Sequence, residues 1–211
     1  MNLKVKICGI TSQTDASAAV EAGADALGFM FYELSSRYLA PEQAAPILAS
    51  LPPFVSKVGV FVNASEDTVR KIAAQCGLDT LQFHGDESPE FCKRFAPLKV
   101  IKAFRMQDAN SLNSLEHFAT DAWLLDSYSP KQVGGTGTTF NWELAAQARE
   151  AGRPVILAGG LNVENIAEAI HQVWPYAVDV SSGVESAPGR KDASLMRAFI
   201  AAVRGIEVEQ F

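Results

Sequence analysis

Eight short runs rich in β-branched and aromatic residues recur along the chain at nearly even spacing, with a stretch of helical character after each one. The runs fall at residues 5–8, 26–31, 57–62, 80–84, 100–104, 123–126, 155–158 and 178–181. The intervening segments carry helix signals of known origin. An alanine-rich stretch from Thr14 ends at the glycine of "EAGAD", Pro41 opens a helix to about residue 50, and Ser65 caps one to residue 75. Ser88-Pro89 opens another, and residues 108–118, 141–150, 162–173 and 192–203 complete the set. Strands that alternate with helices pair in parallel, because a parallel neighbour is reached only through a crossover. The expectation is therefore α/β: a single (β/α)8 TIM barrel spanning residues 1–211 as one domain. A doubly wound open sheet is the alternative. It is weakened because the glycine-rich loops come late in the chain, whereas a dinucleotide fold needs them after its first strand.

Charge and cysteine usage narrow the function. A formal net charge of −6 without a block of five like charges gives no support for nucleic-acid or anionic-membrane binding. Cys8, Cys76 and Cys92 are odd in number and form no CxxC motif, which fits free thiols in a reducing compartment. No apolar leader opens the chain and no apolar run reaches membrane length, so a cytoplasmic protein is expected. No helix face reads as an apolar interface, and a monomer is expected.

In a barrel, the chemistry sits at the C-terminal ends of the strands and in the loops that follow. Those ends read Cys8-Gly9, Phe31, His84-Gly85, Asp126-Ser127, Gly159-Gly160 and Ser181-Ser182-Gly183. "LAGGLN" and "VSSGVE" form a candidate phosphate grip, since glycine lets backbone N–H groups approach an anion and loops seven and eight are the recurring phosphate site. The plainer alternative is a tight strand-to-helix turn. "GGTGTTF", which includes Gly135, lies in the sixth loop as a backbone contact or a cover over substrate; it matches neither a P-loop nor GxGxxG. His84, His117 and His171 have no metal-ligand spacing, so a catalytic metal is not expected. His117 and His171 read as surface residues, while His84 is either structural or faces the substrate.

In "LKVKICGIT" the thiol of Cys8 closes a strand on the same face as Lys6. A cysteine there is either packing or a reactive group. The same counting aims Gln82, Lys102, Asp126 and Asp179 inward. Buried charges need partners, and strands one and eight are neighbours, so Lys6 should pair with Asp179. A cation below Cys8 would favour its thiolate.

With "KICGIT", "ADALGFMFYELSSRYL", "LQFHGDE", "LLDS", "GGTGTTFNW", "LAGGL" and "DVSSGVE" in order, the chain resembles the phosphoribosylanthranilate isomerase family of tryptophan biosynthesis. The resemblance implies a (β/α)8 barrel without cofactor or metal. Its substrate is a phosphorylated small molecule, N-(5-phosphoribosyl)anthranilate, rearranged to 1-(2-carboxyphenylamino)-1-deoxyribulose 5-phosphate. It further implies Cys8 as general base, Asp126 as general acid and Arg37 as the group that holds the anthranilate carboxylate. The phosphate loops are then those of Gly159-Gly160 and Ser181-Ser182-Gly183. One departure stands out: Ser35-Ser36-Arg37 replaces the family's common Ser-Pro-Arg, which frees the loop that carries Arg37. Two other readings share these loops. One is a ribulose-phosphate epimerase or a histidine-pathway sugar isomerase, and the other is a non-catalytic barrel for a phosphorylated ligand.

Overall fold

The computed structural model describes residues 3–106, 108, 110–127 and 142–206. Eight parallel strands close into a barrel in chain order, with the first hydrogen-bonded to the eighth. They are β1 (Lys4–Cys8), β2 (Ala26–Met30), β3 (Ser56–Phe61), β4 (Thr80–Phe83), β5 (Lys99–Met106), β6 (Ala122–Ser127), β7 (Val155–Leu157) and β8 (Ala177–Val180). Around them run α1 (Gln13–Ala22), α2 (Pro41–Ala49), α3 (Glu66–Cys76), α4 (Pro89–Cys92), α5 (Asn110–Leu115), α6 (Trp142–Arg149), α7 (Ile166–Val173) and α8 (Ala193–Arg204).

Local chemistry sets these boundaries. The Ser12 and Ser65 side chains accept from Asp15 N and Thr68 N at the starts of α1 and α3, and Gly23 and Gly77 close both helices in the left-handed region. The helices expected over 108–118 and 162–173 are shorter, at Asn110–Leu115 and Ile166–Val173, and the one opened by Ser88-Pro89 is brief. After Ser88-Pro89, α4 makes one turn before a 3-10 turn at Lys93–Phe95. Before α7, the Asn162 side chain accepts from Glu164 N and Asn165 N and holds residues 162–165 as a turn outside the helix. A hairpin that sequence pattern did not announce follows the barrel's last strand: β9 (Glu185–Ala187) paired with β10 (Arg190–Lys191).

The main core lies between strands and helices, and a second cluster fills the barrel with Ile101, Ala103, Ala122, Leu124, Ile156, Ala158 and Ala177. Lys6, Gln82, Asp126 and Asp179 belong to the interior face, as strand parity required. Lys102 does not. β5 runs to Met106, and its inner face carries Ile101 and Ala103, so Lys102 points into the helix layer. There its ammonium lies 3.3 Å from Glu87, donates to the Gly85 and Ala103 carbonyls, and sits over the rings of Phe104 and Phe118.

Candidate active site

A cavity of about 240 Å3 opens at the C-terminal end of the barrel and is lined by Cys8, Arg37, Gln82, His84, Asp126, Gly159, Gly160, Asp179, Ser181 and Ser182 among others. Of the ten site residues read from the sequence, eight line this one space. Gly183 stands just behind it, and Gly135 lies outside the described residues. Cys8 stands at the end of β1 and His84 just beyond β4, Gln82, Asp126 and Asp179 point inward from the last residues of their strands, and Arg37 comes from the loop after β2.

Cys8 ends β1 and is 7% exposed. Below it, Lys6 Nζ donates to Asp179 Oδ1 at 2.9 Å, so the pair expected from sequence is present and almost wholly buried. Asp179 and the thiol together hold the Lys6 ammonium above its ordinary value against the opposing effect of burial. The expected lowering of the thiol is corrected. Burial pushes the Cys8 thiol up, Asp179 adds to that, and the attraction of Lys6 and Lys191 offsets only part of it. The space for this stack comes from β2: a Cβ on Gly28 would lie 2.8 Å from Cys8 Sγ and 3.0 Å from Lys6 Nζ.

Across the mouth, His84 Nε2 lies 3.2 Å from Asp126 Oδ2, and Gln82 Nε2 lies 3.1 Å from His84 Nδ1. Asp126 remains part-exposed towards the cavity.

Loops seven and eight pack so closely that a Cβ on Gly183 would run into the Leu161 carbonyl oxygen. Gly159 and Gly160 both have positive φ, and Asn165 Nδ2 donates to the Gly160 carbonyl at 3.0 Å. Ser182 and Gly183 begin a 3-10 turn, Ser182–Val184, so their N–H groups have no partner within it. Together these form a concave surface of backbone donors suited to an anion.

Arg37 already has an anionic partner within the protein. Its Nε and Nη2 donate to Glu185 Oε1 and Oε2 at 2.8 and 2.7 Å, a bidentate pair at the mouth. Glu185 also accepts from Lys191 Nζ at 2.8 Å, and Lys191 donates to the Ser181 carbonyl. Burial pushes the Glu185 carboxyl up, but Arg37 and Lys191 outweigh it and hold the group ionised. Sequence reading missed Glu185 and Lys191 as site residues. The glutamate of "VSSGVE" and the lysine before Asp192 were the available signal, but only the β9–β10 hairpin brings them under Arg37.

Among the described residues no group of three or more His, Cys, Asp or Glu side chains is placed to hold a metal ion. Cys76 and Cys92 are buried on α3 and α4 and do not line this cavity, and burial pushes the Cys92 thiol up to about 11.

A closed eight-stranded barrel that gathers a cysteine, a carboxylate and two glycine-containing loops around one opening has the layout of a (β/α)8 enzyme. Comparison narrows that class. The model of the family described as N-(5'phosphoribosyl)anthranilate (PRA) isomerase matches residues 5–202, and the chain belongs to this family. A curated N-(5'-phosphoribosyl)anthranilate isomerase of Geobacter metallireducens is 61% identical over 198 residues, 94% of this chain and 97% of that protein. The crystal structure of the phosphoribosyl anthranilate isomerase of Thermotoga maritima superposes with a TM-score of 0.89 at 44% identity, covering 97% of this chain and all (100%) of that one. A further isomerase was solved in complex with reduced 1-(o-carboxyphenylamino)-1-deoxyribulose 5-phosphate. It gives a TM-score of 0.86 at 42% identity, over 97% of this chain and 100% of its own.

Proposed function

We propose that this enzyme isomerises N-(5'-phosphoribosyl)anthranilate in tryptophan biosynthesis, with Cys8 as general base and Asp126 as general acid. The observation that carries the reading is that these two side chains and both anion-binding loops line one cavity. The phosphate, seated on the backbone donors of loops seven and eight, fixes one end of the sugar. Asp126 gives a proton to the ring oxygen, the C1–O bond opens with its electrons on that oxygen, and the anthranilate nitrogen forms an imine with C1. The imine acidifies C2–H; the Cys8 thiolate takes that proton, and the electron pair moves to give the enol. Ketonisation returns a proton at C1 and leaves the carbonyl at C2. A hydrogen moves within one molecule, so the chemistry calls for no redox partner. Positioned acid–base pairs of this kind supply roughly 10²–10⁴-fold each.

Arg37 lines the cavity while paired with Glu185, and we assign it the anthranilate carboxylate. Its charge is sustained chiefly by the Glu185 hydrogen bonds. Gly135 is assigned to substrate binding, and His84 to the sugar side of the site. A single catalytic domain in the cytoplasm fits the closed barrel and the lack, among the described residues, of any helix long and apolar enough to cross a membrane. For assembly we keep the monomer suggested by the helix faces. The observation that opposes it is Phe54, 96% exposed beside a cavity of about 500 Å3 on the opposite face of the barrel. Light scattering on a size-exclusion column decides between one and two chains. The activity itself is tested by turnover of phosphoribosylanthranilate by purified protein and by rescue of a tryptophan-requiring strain that lacks the isomerase. Failure of well-expressed protein in both overturns the assignment.

A further inference from the structure

Gln82 is 1% exposed, and one of its polar atoms, Oε1, is buried with no hydrogen-bond partner among the described residues. An unpaired buried carbonyl is destabilising, and an apolar side chain of the same size would fill the barrel without that cost. Its other atom explains why an amide stands there. Gln82 Nε2 faces His84 Nδ1 at 3.1 Å, and His84 Nε2 faces Asp126 Oδ2 at 3.2 Å. An imidazole nitrogen that faces an amide NH2 must accept, so the ring proton sits on Nε2 and is donated to the carboxyl group.

We propose that Gln82 is a positioning residue for the isomerisation: it selects the His84 tautomer that grips Asp126 by Oδ2 and leaves Oδ1 to carry and deliver the proton. This rests on the reading of Asp126 as the acid. A neutral imidazole has two tautomers, and the orientation of the amide chooses between them. With the amide reversed, Nδ1 would hold the proton and the Nε2 lone pair would face the carboxyl group. The carboxyl proton would then be spent on the imidazole instead of the sugar. In the observed arrangement the Nε2 proton never leaves His84. The proton that moves goes from Asp126 Oδ1 to the ring oxygen, and the charge that develops on the carboxylate meets a donor already in place.

The other charged groups that line a cleft together with His84 are Lys102 and Arg105 from β5 and Asp86 and Glu87 from the loop after β4. Lys102 and Glu87 are paired with each other at 3.3 Å. Across the cavity stand Arg37, Cys8 and Asp179. Asp126 is the charged group within hydrogen-bond distance of the ring.

The test uses the full chain with His117→Gln and His171→Gln, which leaves His84 as its sole histidine. Nitrogen NMR of the labelled protein should give a proton-free, pyridine-like Nδ1 and a protonated Nε2 at neutral pH. Adding Gln82→Met should mix the tautomers and lower kcat about tenfold at nearly constant KM, since acid assistance is lost while binding is not. Gln82→Glu should place a proton on Nδ1, hold the ring cationic to higher pH and move the acid limb of the kcat profile upward. A protonated Nδ1 in the Gln82 protein overturns the proposal, whether or not the variants fold. So does a folded Gln82→Met with unchanged kcat and pH profile. Full turnover by Asp126→Asn would instead overturn the acid assignment, and the ring spectrum is read independently of that result.

Discussion

Lys6 and Asp179 meet inside the barrel at 2.9 Å, one inward position beneath Cys8, with side chains that are 4% and 9% exposed. A buried pair of this kind adds little net stability over an apolar filling. Its consequence is a fixed positive charge next to the thiol. Burial wins in the free protein and keeps the thiol high, but Lys6 limits the rise.

That balance sets the pH profile. On the proposed roles the active form pairs the Cys8 thiolate with a protonated Asp126, so its population is flat between the two macroscopic values of the pair and falls outside them. The alkaline limb reports the thiol, and it should lie above the ordinary thiol value because the Cys8 thiol is raised. Lys6→Met removes the attraction and leaves Asp179 alone, so the limb should move further up and the plateau should drop. The same change strands a buried carboxylate and should cost about 3–5 kcal/mol in denaturant titration. An alkaline limb that stays put in folded Lys6→Met would detach it from Cys8.

Cys8→Ser should lose turnover by about 10²–10⁴-fold, the range for a positioned base, while product-analogue affinity stays within an order of magnitude. Cys76→Ser and Cys92→Ser should keep kcat, since both thiols lie on helices outside the cavity lining. Near-normal kcat in Cys8→Ser would place the base elsewhere.

Gly28→Ala is a sharper probe of the same stack. Its new methyl group would come within 2.8 Å of Sγ and 3.0 Å of Nζ, closer than such contacts sit at rest. The thiol must shift, so kcat should fall while KM changes little. A rise in KM alone would mean that the displaced group is a binding contact.

Arg37→Ala should weaken a product analogue by about 1.5–3 kcal/mol, as for a hydrogen bond to a charged group, and should spare kcat. Glu185→Gln should act in the same direction more weakly. It removes the charge from the ion-pair partner that Arg37 shares with the buried Lys191. An analogue without the carboxylate should be indifferent to Arg37→Ala; equal losses for both ligands would remove Arg37 from that role.

The strand order and the inward face of β1, β4, β6 and β8 were legible because periods of two and of 3.6 residues alternate without ambiguity along the chain. Cys8, Asp126 and the glycine loops were legible because parallel strands deliver their ends to one rim. Lys102 was misread because Ile101 and Ala103, and not Lys102, carry the inner face of β5, and the sequence of this strand alone does not say which parity faces the axis. The Arg37–Glu185–Lys191 cluster was out of reach, since residues 148 apart meet through a hairpin that has no hydrophobic alternation to announce it. The net rise of the thiol depends on how much burial outweighs one cation, which strand parity alone does not determine.

The opposite rim makes a claim of its own about stability. Asp25, Asp79 and Asp121 each precede an even-numbered strand, and each carboxylate accepts the backbone N–H of a residue in the preceding odd strand: Val5, Lys57 and Val100. Asp25 also binds Lys4 and Arg204, and Asp121 binds Lys99. For both, burial pushes the carboxyl up, but those hydrogen bonds outweigh it and leave the carboxyl below its ordinary value. A carboxyl that is lower in the folded than in the unfolded chain stabilises above its unfolded value of about 3.9, and that contribution disappears as pH falls through the folded value. Asp25→Asn should therefore cost about 1 kcal/mol at pH 7, after discount for the solvent that reaches the rim, or roughly 2–4 °C in Tm. Asp121→Asn should cost less, because its side chain is 42% exposed against 23% for Asp25. In both cases the gap from the unaltered protein should close as the melt is moved from pH 7 towards pH 3 (~4 being the turning point). A gap that stays constant with pH would show that the carboxylates act through shape and not through charge.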